Sequence, residues 1–240
     1  MALQSKLIIF ISLLSFWHLG CGEKALPQHH EIVFLIDITD PNESAIPNPN
    51  AITSQIQNML KNQNDQLTAQ FGFFDDLSGG QLDKLEIPKA DVSIMTANEV
   101  KRKNDIKKLF DSFEATISQK ISQTQVNKDF SKLYAKICKQ LGVLSKTTAD
   151  SKTLVLYTDL LENSEMANFY SISNLNGDES NVRKIYEEKF KASCALPDLT
   201  GIHIKMMVYR TPNNDTKIKN AELFWQQLFT QNGATVSIDQ

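Results

Sequence analysis

The chain has 240 residues, of which 41% are hydrophobic, and a formal net charge of −3 from 25 basic and 28 acidic side chains. This length fits one domain with a sizeable core. Because the balance is mildly acidic and there is no basic stripe, the composition does not indicate a nucleic-acid-binding protein.

The first 21 residues differ from the rest of the chain. Lys6 precedes the apolar run Leu7–Phe16, which at ~1.5 Å per residue is too short to cross a ~30 Å bilayer core. A short basic region followed by such a run is typical of a secretion signal. The stretch His18-Leu19-Gly20-Cys21 resembles the lipobox of bacterial lipoproteins, which implies that Cys21 carries the lipid anchor. The alternative is ordinary signal cleavage near Gly22, with Cys21 discarded.

Residues 22–30 form a short polar tether, and residues 31–240 are expected to form a single domain. The lipobox implies a protein anchored in the bacterial cell envelope, at the outer membrane or a periplasmic face. Gly22 provides no acidic signal for retention at the inner membrane, which favours the outer membrane.

Predicted strands and helices alternate along the domain. The first strand, Glu31–Ile36, is apolar at every position from Ile32 onward, as expected for a strand that is covered on both faces. The pattern predicts an α/β fold with a mostly parallel, Rossmann-like central sheet flanked by helices. Strands are predicted at 31–36, 67–75, 85–95, 153–157, 202–209 and 234–238, and helices at 51–63, 98–123, 129–144, 181–191 and 220–232.

The helix at 220–232 is strongly amphipathic. Its spacing predicts inward-facing side chains, with Gly233 at the C′ position. The cluster of Phe224, Trp225 and Phe229 is predicted to belong to the core rather than to a binding site, and the alternative is a partly exposed Trp225 with neighbours on both faces. The residues expected to face inward are Leu223, Phe224, Leu228 and Phe229.

Two cysteines remain in the predicted mature domain after Cys21. An exported protein could pair Cys138 with Cys194. Cys138 lies within a helical pattern, KLYAKICKQL, and is predicted to be a buried, small apolar residue rather than half of a disulfide. The spacing does not suit a metal site, because there is no C-x-x-C motif and no paired histidine motif.

Acidic side chains follow two of the predicted strands. Asp37 follows the first strand, and Thr158-Asp159 follows the strand at 153–157. Ligands of open α/β sheets bind beyond the carboxyl ends of the strands. If the two strands are neighbours, Asp37 and Asp159 lie close together and repel each other unless a cation or a proton lies between them. Alternatively, each aspartate simply caps the turn or helix that follows.

The two strand ends resemble those of von Willebrand factor A-type domains. In that family the first strand ends in D-x-S-x-S, a later loop supplies a threonine, and another strand ends in an aspartate. The resemblance implies a Mg²⁺ ion held by Asp37, Thr39, Ser131 and Asp159, whose open coordination position takes a carboxylate from a protein partner. The chain departs from the motif at Pro41, where the second serine would stand, and at Leu160, where the family has glycine.

The expected function is therefore binding or adhesion rather than catalysis, with a protein partner at the strand-end face. One alternative is an envelope-assembly or structural lipoprotein with a vestigial, metal-free site. Another is a phosphatase of the haloacid dehalogenase type that uses Asp37 as phosphoryl acceptor. That family requires a later acidic pair at a strand end, whereas the strand at 202–209 is followed by Arg210-Thr211-Pro212.

Overall fold

The computed structural model describes residues 26–38, 46–60, 62, 64–74, 82–90, 98–123, 131–172, 175–210 and 214–239. The predicted signal with Cys21, and the predicted metal ligand Thr39, lie outside these residues. Within the described part, no helix is long and apolar enough to cross a membrane.

One sheet of six strands forms the centre of the described chain. The strand order is β3-β2-β1-β4-β5-β6. All neighbours are parallel except β2 and β3, which are antiparallel. This is the order of doubly wound α/β sheets, whose switch point lies between β1 and β4, and the predicted α/β class is confirmed. The strands are β1 (His29–Ile36), β2 (Gln66–Phe73), β3 (Asp83–Ile87), β4 (Ser151–Thr158), β5 (Ile202–Val208) and β6 (Thr235–Asp239).

Five α-helices flank the sheet in the described residues. The Asn48 side chain caps the N-terminus of the first helix, and Pro49 lies in its first turn. Asparagine is favoured at the N-cap, and proline is favoured in the first turn. Asp178 caps the fourth in the same way. A π-helical turn, Tyr186–Phe190, continues the fourth helix. The helices are α1 (Pro49–Met59), α2 (Asn98–Gln123), α3 (Leu133–Leu144), α4 (Glu179–Ile185) and α5 (Asp215–Gln231).

Two hydrophobic cores lie on opposite faces of the sheet. Val33 and Leu35 of β1 face the core shared with α3, α4 and α5. Ile32, Phe34 and Ile36 face the core shared with α1 and α2. The strand is therefore apolar at successive positions because both of its faces are covered.

Most of the predicted inward face of α5 is buried, with one correction. Phe224, Leu228 and Phe229 are at most 1% exposed, but Leu223 is 42% exposed, contrary to the prediction. Leu223 lies at the edge of the buried face, where its Cβ stands over the backbone of Gly177. Trp225 is fully buried, as predicted for a core residue, because its indole fills the core between α3 and α5.

The prediction that Cys138 is an unpaired apolar residue was wrong. Cys138 is buried as expected, but it forms a disulfide with Cys194, which follows the π-helical turn. The Tyr134 hydroxyl donates a hydrogen bond to the carbonyl of Cys194 beside this link. The disulfide therefore fastens the middle of α3 to the segment that follows α4.

The end of α5 agrees with the prediction made from the sequence. Asn232 is the C-cap, and Gly233 follows with φ of +96°, a conformation that glycine adopts without strain. The chain then enters β6 at the edge of the sheet.

Candidate functional site

Asp37 lies at the switch point of the sheet, directly after β1. Its backbone N–H donates to the carbonyl of Tyr157 on β4 at 2.7 Å, so the β1–β4 pairing continues to this residue. Its side chain is almost completely buried. The hydroxyl of Thr158 donates to Asp37 Oδ2 at 2.9 Å. The inference that the two acid-ending strands are neighbours is therefore correct.

Ser131 reaches the same carboxylate from a different part of the chain. Its hydroxyl donates to Asp37 Oδ2 at 3.3 Å. Two backbone hydrogen bonds to Asn163, of 2.9 and 3.0 Å, hold Ser131 in place. Ser131 lies just before α3, so a residue 94 positions away in sequence is brought to Asp37 by the packing of this loop against the segment after β4.

Asp159 lies beside the cluster formed by Asp37, Ser131 and Thr158, but its carboxylate points into its own loop. Oδ1 accepts the N–H of Leu161 at 2.9 Å, which is the local turn that aspartate commonly forms. Oδ2 accepts the hydroxyl of Tyr170 at 3.2 Å. Ser131 therefore contacts Asp37 directly, whereas these two hydrogen bonds of Asp159 run to Leu161 and Tyr170.

Leu160 adopts a backbone conformation that is unusual for its side chain. Its φ is +64°, and it is the single non-glycine residue with positive φ in the described chain. Its N–H donates to the Thr158 hydroxyl at 3.0 Å, and its carbonyl accepts the indole N–H of Trp225 at 2.9 Å. The side chain is fully buried. Hydrogen bonds and burial together hold a conformation that favours glycine.

Glu162 lies in the same group of polar side chains, although it was not predicted as a site residue from the sequence. It is fully buried, and its Oε2 accepts the N–H of Tyr134, in the first turn of α3, at 2.8 Å. Lys132, at the N-cap of that helix, makes no capping hydrogen bond. Glu162 therefore supplies the cap from across the loop.

Burial raises the pKa of Glu162 to about 7, and the negative charge of Asp37 contributes in the same direction. Hydrogen bonds from Ser164 and from the backbone of Tyr134 and Leu133 oppose this shift. The sequence signal was an acid in the loop after a strand, TDLLENS, but only the fold shows that this loop returns to the start of α3.

The cluster offers only oxygen donors, which are the ligands preferred by hard cations such as Mg²⁺. Among the described residues, no three His, Cys, Asp or Glu side chains are grouped so that they could hold a metal ion. A cation here would depend on carboxylates, hydroxyls and water together. His203 is elsewhere: its ring nitrogen lies 2.9 Å from Ser237 Oγ, between β5 and β6.

No protein-family model matches the chain, and no curated protein has significant sequence similarity to it. The grouping of Asp37, Ser131 and Thr158 at the switch point, with Glu162 at the start of α3, is the most developed polar cluster at the carboxyl ends of the strands in the described part of the protein. It consists of a buried carboxylate that accepts hydrogen bonds from two hydroxyls, with a second buried acid nearby.

Proposed function

We propose that the protein is an exported, lipid-anchored binding protein with a von Willebrand factor A-like domain that engages a protein partner at the carboxyl-end face of its sheet. The observation that carries the proposal is the contact between Ser131 and Asp37. A hydroxyl from a loop distant in sequence meets the buried acid at the end of β1, which is where the resemblance expects one.

The conformation of Leu160 also supports the resemblance. The family has glycine after the aspartate of the later strand, and Leu160 occupies that position here with φ of +64°. A left-handed backbone at this point explains why glycine would be usual there. The backbone conformation at position 160 therefore supports the proposed resemblance of the loop that carries Asp159.

The donor set fits Mg²⁺ in part. Asp37 and Ser131 would hold the ion directly, and water would complete the shell, since Mg²⁺ commonly keeps several waters. Asp159 would act from the neighbouring loop, where Leu161 and Tyr170 now occupy its oxygens. When bound, the ion would supply an open coordination position for a carboxylate of the partner.

A second candidate is an envelope-assembly or structural lipoprotein in which the site is inert. It is favoured by the hydrogen bonds that the hydroxyls of Thr158 and Ser131 already donate to Asp37. A carboxylate satisfied in this way needs no cation for stability. The phosphatase alternative is supported by the hydrogen bond from the Thr158 hydroxyl to Asp37, but β5 is followed by Arg210 rather than by the acidic pair that this alternative requires. We propose that the protein is not an enzyme.

A thermal melt of the chain in EDTA and in millimolar Mg²⁺ tests the proposed cation site. A ligand that binds only the folded state adds about 2.7 kcal/mol of stability at a hundredfold excess over its dissociation constant. We expect Mg²⁺ to raise the melting temperature of the wild type, and Asp37→Ala to abolish the rise.

The control is Glu188→Ala, which removes an exposed acid on the π-helical turn and should leave the Mg²⁺ effect unchanged. Ser131→Ala should reduce the effect while retaining the fold. An identical melting temperature with and without Mg²⁺ at every concentration would favour the inert site. Release of phosphate from an aryl phosphate, lost in Asp37→Ala, would instead establish the phosphatase.

A further inference from the structure

A groove lies at the opposite ends of the parallel strands from Asp37, between the end of α1 and the first half of α2. It has a volume of about 390 Å³. Arg102, on its wall, donates to the carbonyls of Asp65 and Pro88 at 3.1 and 2.9 Å. Asp65 immediately precedes β2, so the groove is at the amino ends of the parallel strands. It is therefore separate from the strand-end site.

The floor of the groove is apolar and recessed. Leu60 and Ile106 are partly exposed within it, and Phe110 is 4% exposed. These side chains belong to the core between α1, α2 and the sheet, which places them below the helix surface. A bound molecule would need a protruding apolar group to reach them.

The rim of the groove is basic. Lys103 and Lys107 line it one helical turn apart, and both are exposed. Neither forms an ion pair with another residue that the structure describes. Residues 98–108 contain five basic and two acidic side chains, a net charge of +3 within a chain whose net charge is −3. The net charge of the whole chain does not reveal this local cluster of basic side chains.

We propose that this groove binds an acidic peptide segment of a partner protein, with one apolar side chain seated on Leu60 and Ile106. Acidic residues on either side of that anchor would meet Lys103 and Lys107. Charge complementarity of this kind steers the partner and fixes its register, and an apolar anchor in a pocket supplies most of the affinity.

A peptide fits the groove better than a membrane surface does. The apolar side chains are recessed between two helices, so a flat bilayer would contact the lysines without reaching the floor. An apolar side chain on a peptide can enter the recess. The rim lysines at i and i+4 lie about 5–6 Å apart at their Cβ atoms, a spacing that acids flanking one anchor residue can span.

Selection of a phage-displayed random nonapeptide library against the immobilised full chain, in EDTA, tests the proposal. EDTA separates the result from that of the cation site. We expect enrichment of peptides with an apolar residue flanked by Asp or Glu. Synthetic versions should bind Lys103→Glu/Lys107→Glu at least about tenfold more weakly, as measured by fluorescence anisotropy.

The matched control is Lys101→Glu/Lys108→Glu, which makes the same charge change on the same helix at exposed positions that do not line the groove. It should retain most of the affinity. Equal losses in the two double variants would overturn the proposal, as would selected peptides without acids. Binding of phosphatidylglycerol vesicles that is lost in Lys103→Glu/Lys107→Glu, without any acidic peptide consensus, would assign the groove to a membrane surface instead.

Discussion

The backbone conformation of Leu160 and the burial of its side chain favour different residue types. Its φ of +64° favours glycine, while its fully buried side chain contributes to the core. A left-handed conformation costs a non-glycine residue roughly 1–2 kcal/mol, whereas burial of a leucine is worth roughly 2–5 kcal/mol when judged by truncation to alanine. Leucine is tolerated here because burying its side chain stabilises the fold by more than the backbone strain destabilises it.

This balance predicts an unusual order of stability for two truncations. Leu160→Ala loses the side chain and keeps the strain, whereas Leu160→Gly loses the side chain and relieves the strain. Both variants should be less stable than the wild type, and glycine should exceed alanine by roughly 1 kcal/mol. Urea denaturation measures the difference. In ordinary helix or strand positions glycine is the less stable of the two, so that order at position 160 would contradict the assignment of strain.

Glu162 predicts a dependence of stability on pH. Its folded pKa of about 7 lies above the ordinary value of about 4.3 for an unfolded chain. Between these values the folded state binds more protons than the unfolded state, so the contribution of this group falls as pH rises from about 4.3 to 7. The stabilising contribution of Glu162 is fully present below the pKa of the unfolded state, and it is lost above the pKa of the folded state.

The variant Glu162→Gln should remove this dependence, because glutamine is neutral and can still accept the N–H of Tyr134. Stability curves in urea from pH 4 to 8, in EDTA, should show a difference between the variant and the wild type that grows with pH, to about 4 kcal/mol at most. A difference that stays constant over this range would show that Glu162 titrates normally.

At the scale of elements, the strands of the central sheet were the easiest to predict. The runs at 32–36 and 154–157 contain no charged or strongly polar residue, as expected for strands that are covered by helices on both faces. The full extent of α2 was also predicted, because its period continues over many turns. The π-helical turn at Tyr186–Phe190 was not predicted, because no local pattern distinguishes it from an α-helix.

Contacts between distant segments were predicted less well. Helical periodicity identified the buried face of α5 but not its edge, where Leu223 is half exposed. The capping of α3 by Glu162, and the partner of Cys138, both depend on where loops return in space. Asp37 was found because a strand end is visible in sequence, and Ser131 was found only through the resemblance.

The disulfide between α3 and the segment after α4 makes a prediction about these elements. It closes a loop with a sequence separation of 56 residues, and cross-links of this size stabilise by about 2–4 kcal/mol, mainly through the unfolded chain. A double variant, Cys138→Ala/Cys194→Ala, should be less stable by this amount in urea. Its stability should not respond to reductant, whereas that of the wild type should fall when reductant is added.

If the wild type were equally stable in oxidising and reducing buffer, the two cysteines would not be paired in solution. Mass spectrometry of unreduced tryptic peptides provides the direct observation. A linked pair of peptides containing Cys138 and Cys194 is expected, and this link should disappear after reduction.

At the scale of the whole molecule, the two layers of helices are unequal. The layer formed by α3, α4 and α5 contains the disulfide and a cluster of stacked aromatic rings, including Tyr134, Phe190 and Trp225. The layer formed by α1 and α2 rests on a smaller core. Most positions along the 26-residue α2 are exposed. Because regions with few buried apolar contacts open at lower free energy, the two layers should differ in local stability.

Hydrogen exchange measured by mass spectrometry should therefore show faster exchange in α1 and α2 than in α3, α5 and β4. Phe113→Ala removes a ring that packs edge-on against Phe71 at 5.6 Å between centroids, and it should accelerate exchange in α1 and α2 selectively. Phe229→Ala, in the larger core, should accelerate exchange throughout the chain, because opening that layer unfolds the sheet. Uniform acceleration by both variants would mean that the layers unfold as one unit. A selective response would instead make the α1–α2 layer, which carries the basic groove, the part of the fold most able to adjust to a partner.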